Sequence, residues 1–195
     1  MSDDEQSDEH GHDHADGGGH EHADDDGHDH QHHQHDAHHL GVAVVTVSSS
    51  RTFDDDPSGD RIASILSDEG HEVVVRELIA DEYDSVQGTV DRLTERDDVD
   101  LVVTTGGTGV TPDDVTVEAV EPLLDRELPG FGELFRRLSY EEIGSRSIAT
   151  RTMAGIVEGV LVCCLPGSEA AVRLGVAEII VPEAPHLVGL SRRED

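Results

Sequence analysis

The sequence contains no lysine: its thirteen basic residues are all arginine, set against 44 aspartates and glutamates, for a formal net charge of -31 over 195 residues. Binding to nucleic acid or to an anionic membrane surface needs a Lys/Arg face that such a composition lacks, so both partners are excluded. The only two cysteines, Cys163 and Cys164, are adjacent. Neighbours on a strand point to opposite sides, so they are poorly placed to bridge one another and read as buried strand residues. No apolar stretch approaches the span of a bilayer, and the N-terminus is acidic where a signal peptide would be basic, so a cytoplasmic protein is expected. The excess of carboxylates reads as a solvated acidic surface of the kind suited to a salt-rich cytoplasm.

Twelve of the fourteen histidines fall within the first 39 residues, which hold no arginine and almost no large apolar side chain. Such a segment cannot bury enough surface to offset the entropy of ordering it and is expected to be disordered. It also carries thirteen carboxylates, which leaves residues 40–195 at -18 of the total -31. The boundary is placed at His39/Leu40, with one folded domain beyond it. The tail repeats His-x-His, at His10, His12 and His14, at His20 and His22, and at His28 and His30. Interleaved imidazole and carboxylate suit Ni²⁺, Zn²⁺ or Co²⁺ by ligand type, though no geometry is encoded. A solubilising tail is the alternative.

Beyond the boundary, short β-branched runs alternate with amphipathic segments. Leu40–Val47, Val73–Ile79 and Leu101–Thr104 read as strands; Asp60 to Gly70 and Val86–Arg96 read as helices. Alternation of this kind predicts βαβ units and a mostly parallel sheet, hence an α/β protein. Further helices are expected around Val115–Leu123, over Gly130–Leu138 and over Glu169–Ile180. Gly155–Val157 and Val160–Leu165 are expected to form a hairpin at one sheet edge, turning at Glu158-Gly159.

The run Leu101 to Thr116 is the most informative stretch. A β-branched strand empties into Thr105-Gly106-Gly107-Thr108-Gly109, and then into a helix start marked by Pro112, Asp113 and Asp114. Glycines let the backbone approach an anion, and turn and helix-start amides direct partial positive charge at it. The loop is neither a Walker loop nor a dinucleotide fingerprint, because the lysine and the glycine spacing are both wrong. Asp113 and Asp114 either complement the helix dipole or hold Mg²⁺ beside a phosphate. In an open parallel sheet ligands sit beyond the carboxyl ends of the strands, where Ser48 to Arg51, Asp81, Gly106 to Asp114 and Pro166 to Ser168 all fall. Of the arginines near these loops, Arg51 and Arg151 are favoured as anion ligands over Arg136, Arg137 and Arg146. With only His71 and His186 outside the tail, a Ser-His-Asp hydrolase is excluded, and His71 reads as structural.

Thr105 to Gly109 with Asp114-Val115-Thr116, then Arg126 to Arg136, then Leu165-Pro166-Gly167-Ser168, resemble the MogA/MoaB family of molybdenum cofactor biosynthesis. The likeness covers Leu40 to about Leu190, and Leu138 to Gly144 leans toward the MoaB branch. It implies a three-layer α/β/α molybdopterin-binding fold and a molybdopterin adenylyltransferase: molybdopterin and ATP, with Mg²⁺, give adenylyl-molybdopterin and pyrophosphate. It further implies a homotrimer or homohexamer and a downstream molybdate-insertion enzyme as partner. By motif, Asp81 and Asp114 match the family's two functional aspartates, Asp114 also as Mg²⁺ ligand. Ser48 matches its first-strand serine, Thr105, Gly106, Gly107, Thr108 and Gly109 its ligand loop, and Pro166, Gly167 and Ser168 its second substrate loop. Pro112 and Asp113 depart from the pattern, standing where family members often carry basic residues. A non-catalytic carrier of the same fold, or a metal-binding protein acting through its tail, are the alternatives. Deleting residues 1–39 separates them: adenylation that persists unchanged under metal limitation is expected if the tail is dispensable to the activity.

Overall fold

The computed structural model describes residues 39–193, so the tail histidines His10, His12, His14, His20, His22, His28 and His30 lie outside the described residues. Strand β1 (Gly41–Val47) shows why a sheet forms with a helical layer on each side. Its side chains alternate, with Val42 and Val44 in one buried cluster and Ala43, Val45 and Val47 in another. A strand apolar on both faces is stable only when both faces are covered.

The remaining strands are β2 (Glu72–Ile79), β3 (Leu101–Thr105), β4 (Arg126–Glu127), β5 (Met153–Val157) and β6 (Val160–Leu165). They form one sheet in the order β2-β1-β3-β6-β5-β4. β1, β2, β3 and β6 run parallel, while β5 is antiparallel to both β6 and β4. Helix α1 (Pro57–Asp68) packs Ile62 and Leu66 on one face, together with Phe131 and Phe135 of α4 (Pro129–Ile143). Helix α2 (Tyr83–Thr94) and the short α3 (Thr116–Val120) cover the other with Val86, Val90, Leu93, Ala119 and Val120. The result is the expected α/β/α sandwich. Because α1 and α2 lie on opposite faces, the chain reverses direction across the sheet between β1 and β3, which opens a crevice at their carboxyl ends.

Several boundaries differ from the sequence reading. α1 begins at Pro57, not Asp60, because Asp56 caps it and Pro57 fits the first turn. α4 continues past Leu138 to Ile143, followed by a 3-10 segment at Gly144–Ala149. The β5/β6 hairpin turns at Glu158 and Gly159, both with positive φ, as a two-residue hairpin loop requires. It is not the sheet edge, however, since β4 pairs outside it.

The last helical run is continuous from Glu169 to Ser191, a helix α5 (Glu169–Gly175), a π turn (Val176–Ile180) and a helix α6 (Val181–Ser191). Its 23 residues suffice by length and composition to cross a membrane, which corrects the expectation that no apolar stretch approaches that span. Here Val172, Val176, Ile180, Ala184 and Val188, one turn apart, are buried against the sheet. The π turn has a local cause: Pro182 has no amide to donate back into the preceding turn.

Cys163 and Cys164 lie in opposite clusters, as expected for strand neighbours. Burial pushes the Cys164 thiol up to about 11. His71 is buried and its Nδ1 accepts the Leu40 amide at 3.3 Å.

One buried charge ties the layers together. Asp56 is 1% exposed and accepts from the Thr46 hydroxyl (2.7 Å), the Gly59 amide (3.0 Å), Arg76 (2.9 Å) and Arg51 (3.4 Å). Burial pushes its carboxyl up, but the Gly59 amide, the Thr46 hydroxyl and Arg76 outweigh that and hold it below 3.8. A carboxylate whose folded value is depressed contributes stability above its unfolded value and loses it as pH falls through the folded one. Asp56→Asn is therefore expected to cost about 1.5 to 3 kcal/mol at neutral pH, by weakening charge-assisted bonds to arginines that stay partly exposed and, for Arg76, paired with Asp60. In thermal melts the gap to the parent protein should narrow only below pH 3.8.

Candidate functional site

The parallel strands β1, β2, β3 and β6 deliver their following loops to one side of the sheet, and the loops are then bonded to one another. The Ser48 amide donates to the Ile79 carbonyl at 2.9 Å, joining the ends of β1 and β2. Ser48 Oγ accepts from the amides of Ser50 and Arg51, both at 3.3 Å, which closes the turn after β1. The Ser49 hydroxyl donates to the Asp81 carboxylate, so the Asp81 side chain stands over that turn.

Gly106 and Gly107 have φ of +106° and +66°, a region that side-chain-bearing residues rarely adopt. Space forbids a side chain as well: a Cβ would lie 2.3 Å from the Val47 carbonyl oxygen at Gly106, and 2.3 Å from Thr116 Oγ1 at Gly107. The Gly106 amide donates to the Leu165 carbonyl at 3.0 Å, and Thr105 Oγ1 to the Pro166 carbonyl at 3.0 Å. Thr116, at the start of α3, closes the loop from below, its hydroxyl donating to Gly106 O (2.8 Å) and its amide to Gly107 O (3.0 Å). These carbonyls are directed into the protein. Thr108 is buried, and its carbonyl accepts the Arg151 amide at 3.0 Å.

Asp114 organises the next turn. Its Oδ2 accepts the Thr111 amide at 2.8 Å and the Thr111 hydroxyl at 2.6 Å. Burial raises its pKa, but the Thr111 hydroxyl and amide, the Gly109 amide and the charge of Arg151 bring it below the usual value, so the carboxylate is ionised at neutral pH. Arg151 reaches the same turn, donating Nε to Gly109 O (2.6 Å), Nη2 to Asp114 O (2.7 Å) and Nη1 to the Glu118 carboxylate. Its guanidinium thus buckles the loop from Gly109 to Asp114 onto α3. Arg51 is similarly engaged, with Nη2 on Gly167 O at 2.9 Å and Nη1 on Asp56. Both favoured arginines spend their donors on loop carbonyls and carboxylates.

Two cavities flank Arg151. One of about 510 Å³ is lined by Tyr83, Thr111, Pro112, Asp114, Glu118 and Arg151. The other, of about 440 Å³, is lined by Glu127, Leu128, Glu133, Arg136, Arg151 and Thr152, among others. The buried Thr152 hydroxyl has no partner among the described residues. Asp56 and Ser58 were not singled out from the sequence, and Thr116 appeared there only as the end of the Asp114-Val115-Thr116 motif. The signal for Asp56 was present, as an Asp-Pro pair at a helix start; that for Ser58 exists only through its contact with Gly167, distant in the chain.

Fold and site together define an α/β/α domain with a glycine-walled crevice at the carboxyl ends of its parallel strands. Residues 43–186 match the family described as "Probable molybdopterin binding domain". Molybdenum cofactor biosynthesis protein B of Bacillus cereus is 44% identical over 145 residues, 74% of this chain and 86% of that one. The Bacillus subtilis protein of the same name is 43% identical over 152 residues, 77% and 89% respectively. Among solved structures, one of a molybdenum cofactor biosynthesis protein B superposes with a TM-score of 0.79 at 41% identity, covering 81% of this chain and 99% of that one. A tungsten cofactor synthesizing protein MoaB from Pyrococcus furiosus gives 0.71 at 39%, covering 79% and 98%. The chain belongs to the molybdenum cofactor biosynthesis protein B (MoaB) family.

The glycine geometry makes a graded prediction. Gly107→Ala should cost at least about 1 to 3 kcal/mol for its left-handed backbone alone, and it also displaces the buried Thr116 hydroxyl that holds the Gly106 carbonyl. Gly106→Ala should cost more, because the obstacle is strand backbone. Urea denaturation of the two variants measures the difference.

Proposed function

We propose that this protein acts in molybdenum cofactor biosynthesis by adenylating molybdopterin. Family membership at 44% identity supports the pathway and the pterin. The observation that carries the enzymatic reading is the pair of cavities meeting at Arg151, one of them walled by the ionised Asp114. Two substrates seated there lie on either side of a single guanidinium. The cavity with Glu127 and Glu133 offers carboxylates to the polar edge of a pterin. The cavity with Asp114 and Thr111 takes the nucleotide.

In the proposed reaction an oxygen of the molybdopterin phosphate attacks the α-phosphorus of ATP. A P–O bond forms to that oxygen, the bond between the α- and β-phosphates breaks, and pyrophosphate leaves with its electron pair. Both reactants are anions, so the work is positioning and charge neutralisation, and no side-chain nucleophile is needed. We assign the phosphates to the loops from Thr105 to Gly109 and from Pro166 to Ser168, with Ser48 and Asp81; these line neither cavity, so the phosphate chains reach out of the cavities toward the strand ends. Mg²⁺ prefers hard oxygen ligands and is commonly held by one or two carboxylates plus substrate phosphates. Asp114 fits that role, and no group of three or more metal-ligating side chains occurs among the described residues, so the donor set suits a cation arriving with the nucleotide. Mg²⁺ would supply neutralisation of the phosphate charge.

We place this activity in residues 40–195, in the cytoplasm, upstream of a molybdate-insertion enzyme. Trimers or hexamers are part of the same reading; exposed Tyr140, Ile143 and Ile148 support it as surfaces for a second copy. The purified protein, given molybdopterin, ATP and Mg²⁺, is expected to form adenylyl-molybdopterin and pyrophosphate. Binding of the pterin without product would make it a carrier. Asp114→Asn should lower kcat about 100-fold or more while changing pterin affinity far less.

A further inference from the structure

The loop from Pro166 to Ser168 is gripped from two sides. On one side Thr105 Oγ1 bonds the Pro166 carbonyl, and the Gly167 α-carbon packs so closely on Gly106 that a Cβ would sit 3.3 Å from the Gly106 α-carbon. On the other side the Gly167 carbonyl accepts two donors from residues more than a hundred positions away, Arg51 Nη2 at 2.9 Å and Ser58 Oγ at 2.8 Å. Both come from the segment organised by Asp56, which pairs with Arg51 and caps the helix that presents Ser58. Ser58 is fully buried and Asp56 nearly so, so this grip is built into the fold.

A trans peptide is planar, with its C=O and the following N–H pointing in opposite directions. Fixing the Gly167 carbonyl on Arg51 and Ser58 therefore fixes the Ser168 amide facing away from them. It also sets how hard Gly167 presses on Gly106, and through that contact the place of the glycine loop.

We propose that Arg51 and Ser58 are positioning residues for the phosphate-handling loops, acting through the Gly167 carbonyl, with Asp56 setting both. This rests on the reading that the Pro166–Ser168 loop faces the substrate. Arg51 then serves the reaction through a backbone carbonyl, which reconciles its place beside the crevice with its engaged guanidinium. Loss of the grip leaves both loops present but loose, so the cost falls on substrate affinity and turnover.

The test uses the full chain carrying Arg51→Met, Ser58→Ala and both together, which leave the Asp56–Arg76 pair in place. Three quantities are measured: melting temperature, the Kd for molybdopterin from pterin fluorescence, and kcat and KM for adenylation. Each single variant is expected to lose about tenfold in kcat/KM, and the double clearly more. Arg51→Lys, which keeps one donor in reach, should restore most of the loss of Arg51→Met. A double variant with parental Kd and kcat/KM overturns the proposal, as does a loss that follows the melting temperature and is not rescued by lysine. If the parent protein binds molybdopterin but never adenylates it, the enzymatic reading fails. The positioning role then stands or falls on whether the double variant weakens Kd.

Discussion

Everything at the crevice depends on how closely backbone passes backbone at Gly106. The end of β3 runs between the Val47 carbonyl of β1, which leaves no room for a Cβ on Gly106, and Gly167 of the loop after β6, where a Cβ would be tight at 3.3 Å from the Gly106 α-carbon. Three strand ends meet because that residue has no side chain, and its amide is met by the Leu165 carbonyl. The loop around it turns its carbonyls inward to Thr116 and Arg151. An anion-binding loop needs this orientation, since carbonyls facing the cleft would repel what the amides attract.

Positive charge is scarce in this chain, with 13 arginines against 44 carboxylates, and its use is selective. Arg51, Arg76, Arg92, Arg96, Arg151, Arg173 and Arg192 all pair with carboxylates. Most of these pairs are exposed and contribute little stability. The pair of Asp56 with Arg76 and the loop contacts of Arg151 are different, because they fix backbone. These arginines therefore act on the crevice by shaping its loops.

The alternation of strands and helices was readable because β1, β3 and β6 are buried on both faces and so appear as apolar, β-branched-rich runs interrupted only by threonines. β4 was not readable: two residues, Arg126 and Glu127, carry no hydrophobic pattern and become a strand only by pairing with β5. The start of α1 was misplaced by three residues because three successive aspartates looked like a loop. Only the folded chain shows that Asp56 is the buried one. The extension of the last helix to Ser191 was hidden by Pro182 and Pro185, which suggest a break that a π turn absorbs.

The sequence by itself determined the fold class, the loops that cluster at the strand ends and the family, because periodicity, glycine placement and short motifs are local properties. Tertiary structure alone decided what the polar side chains do there. Arg51 and Arg151 lie where a ligand would be expected, yet their donors end on Gly167, Gly109 and Asp114 carbonyls. Which acceptor a guanidinium meets depends on chain segments far away in sequence, and no local pattern specifies that.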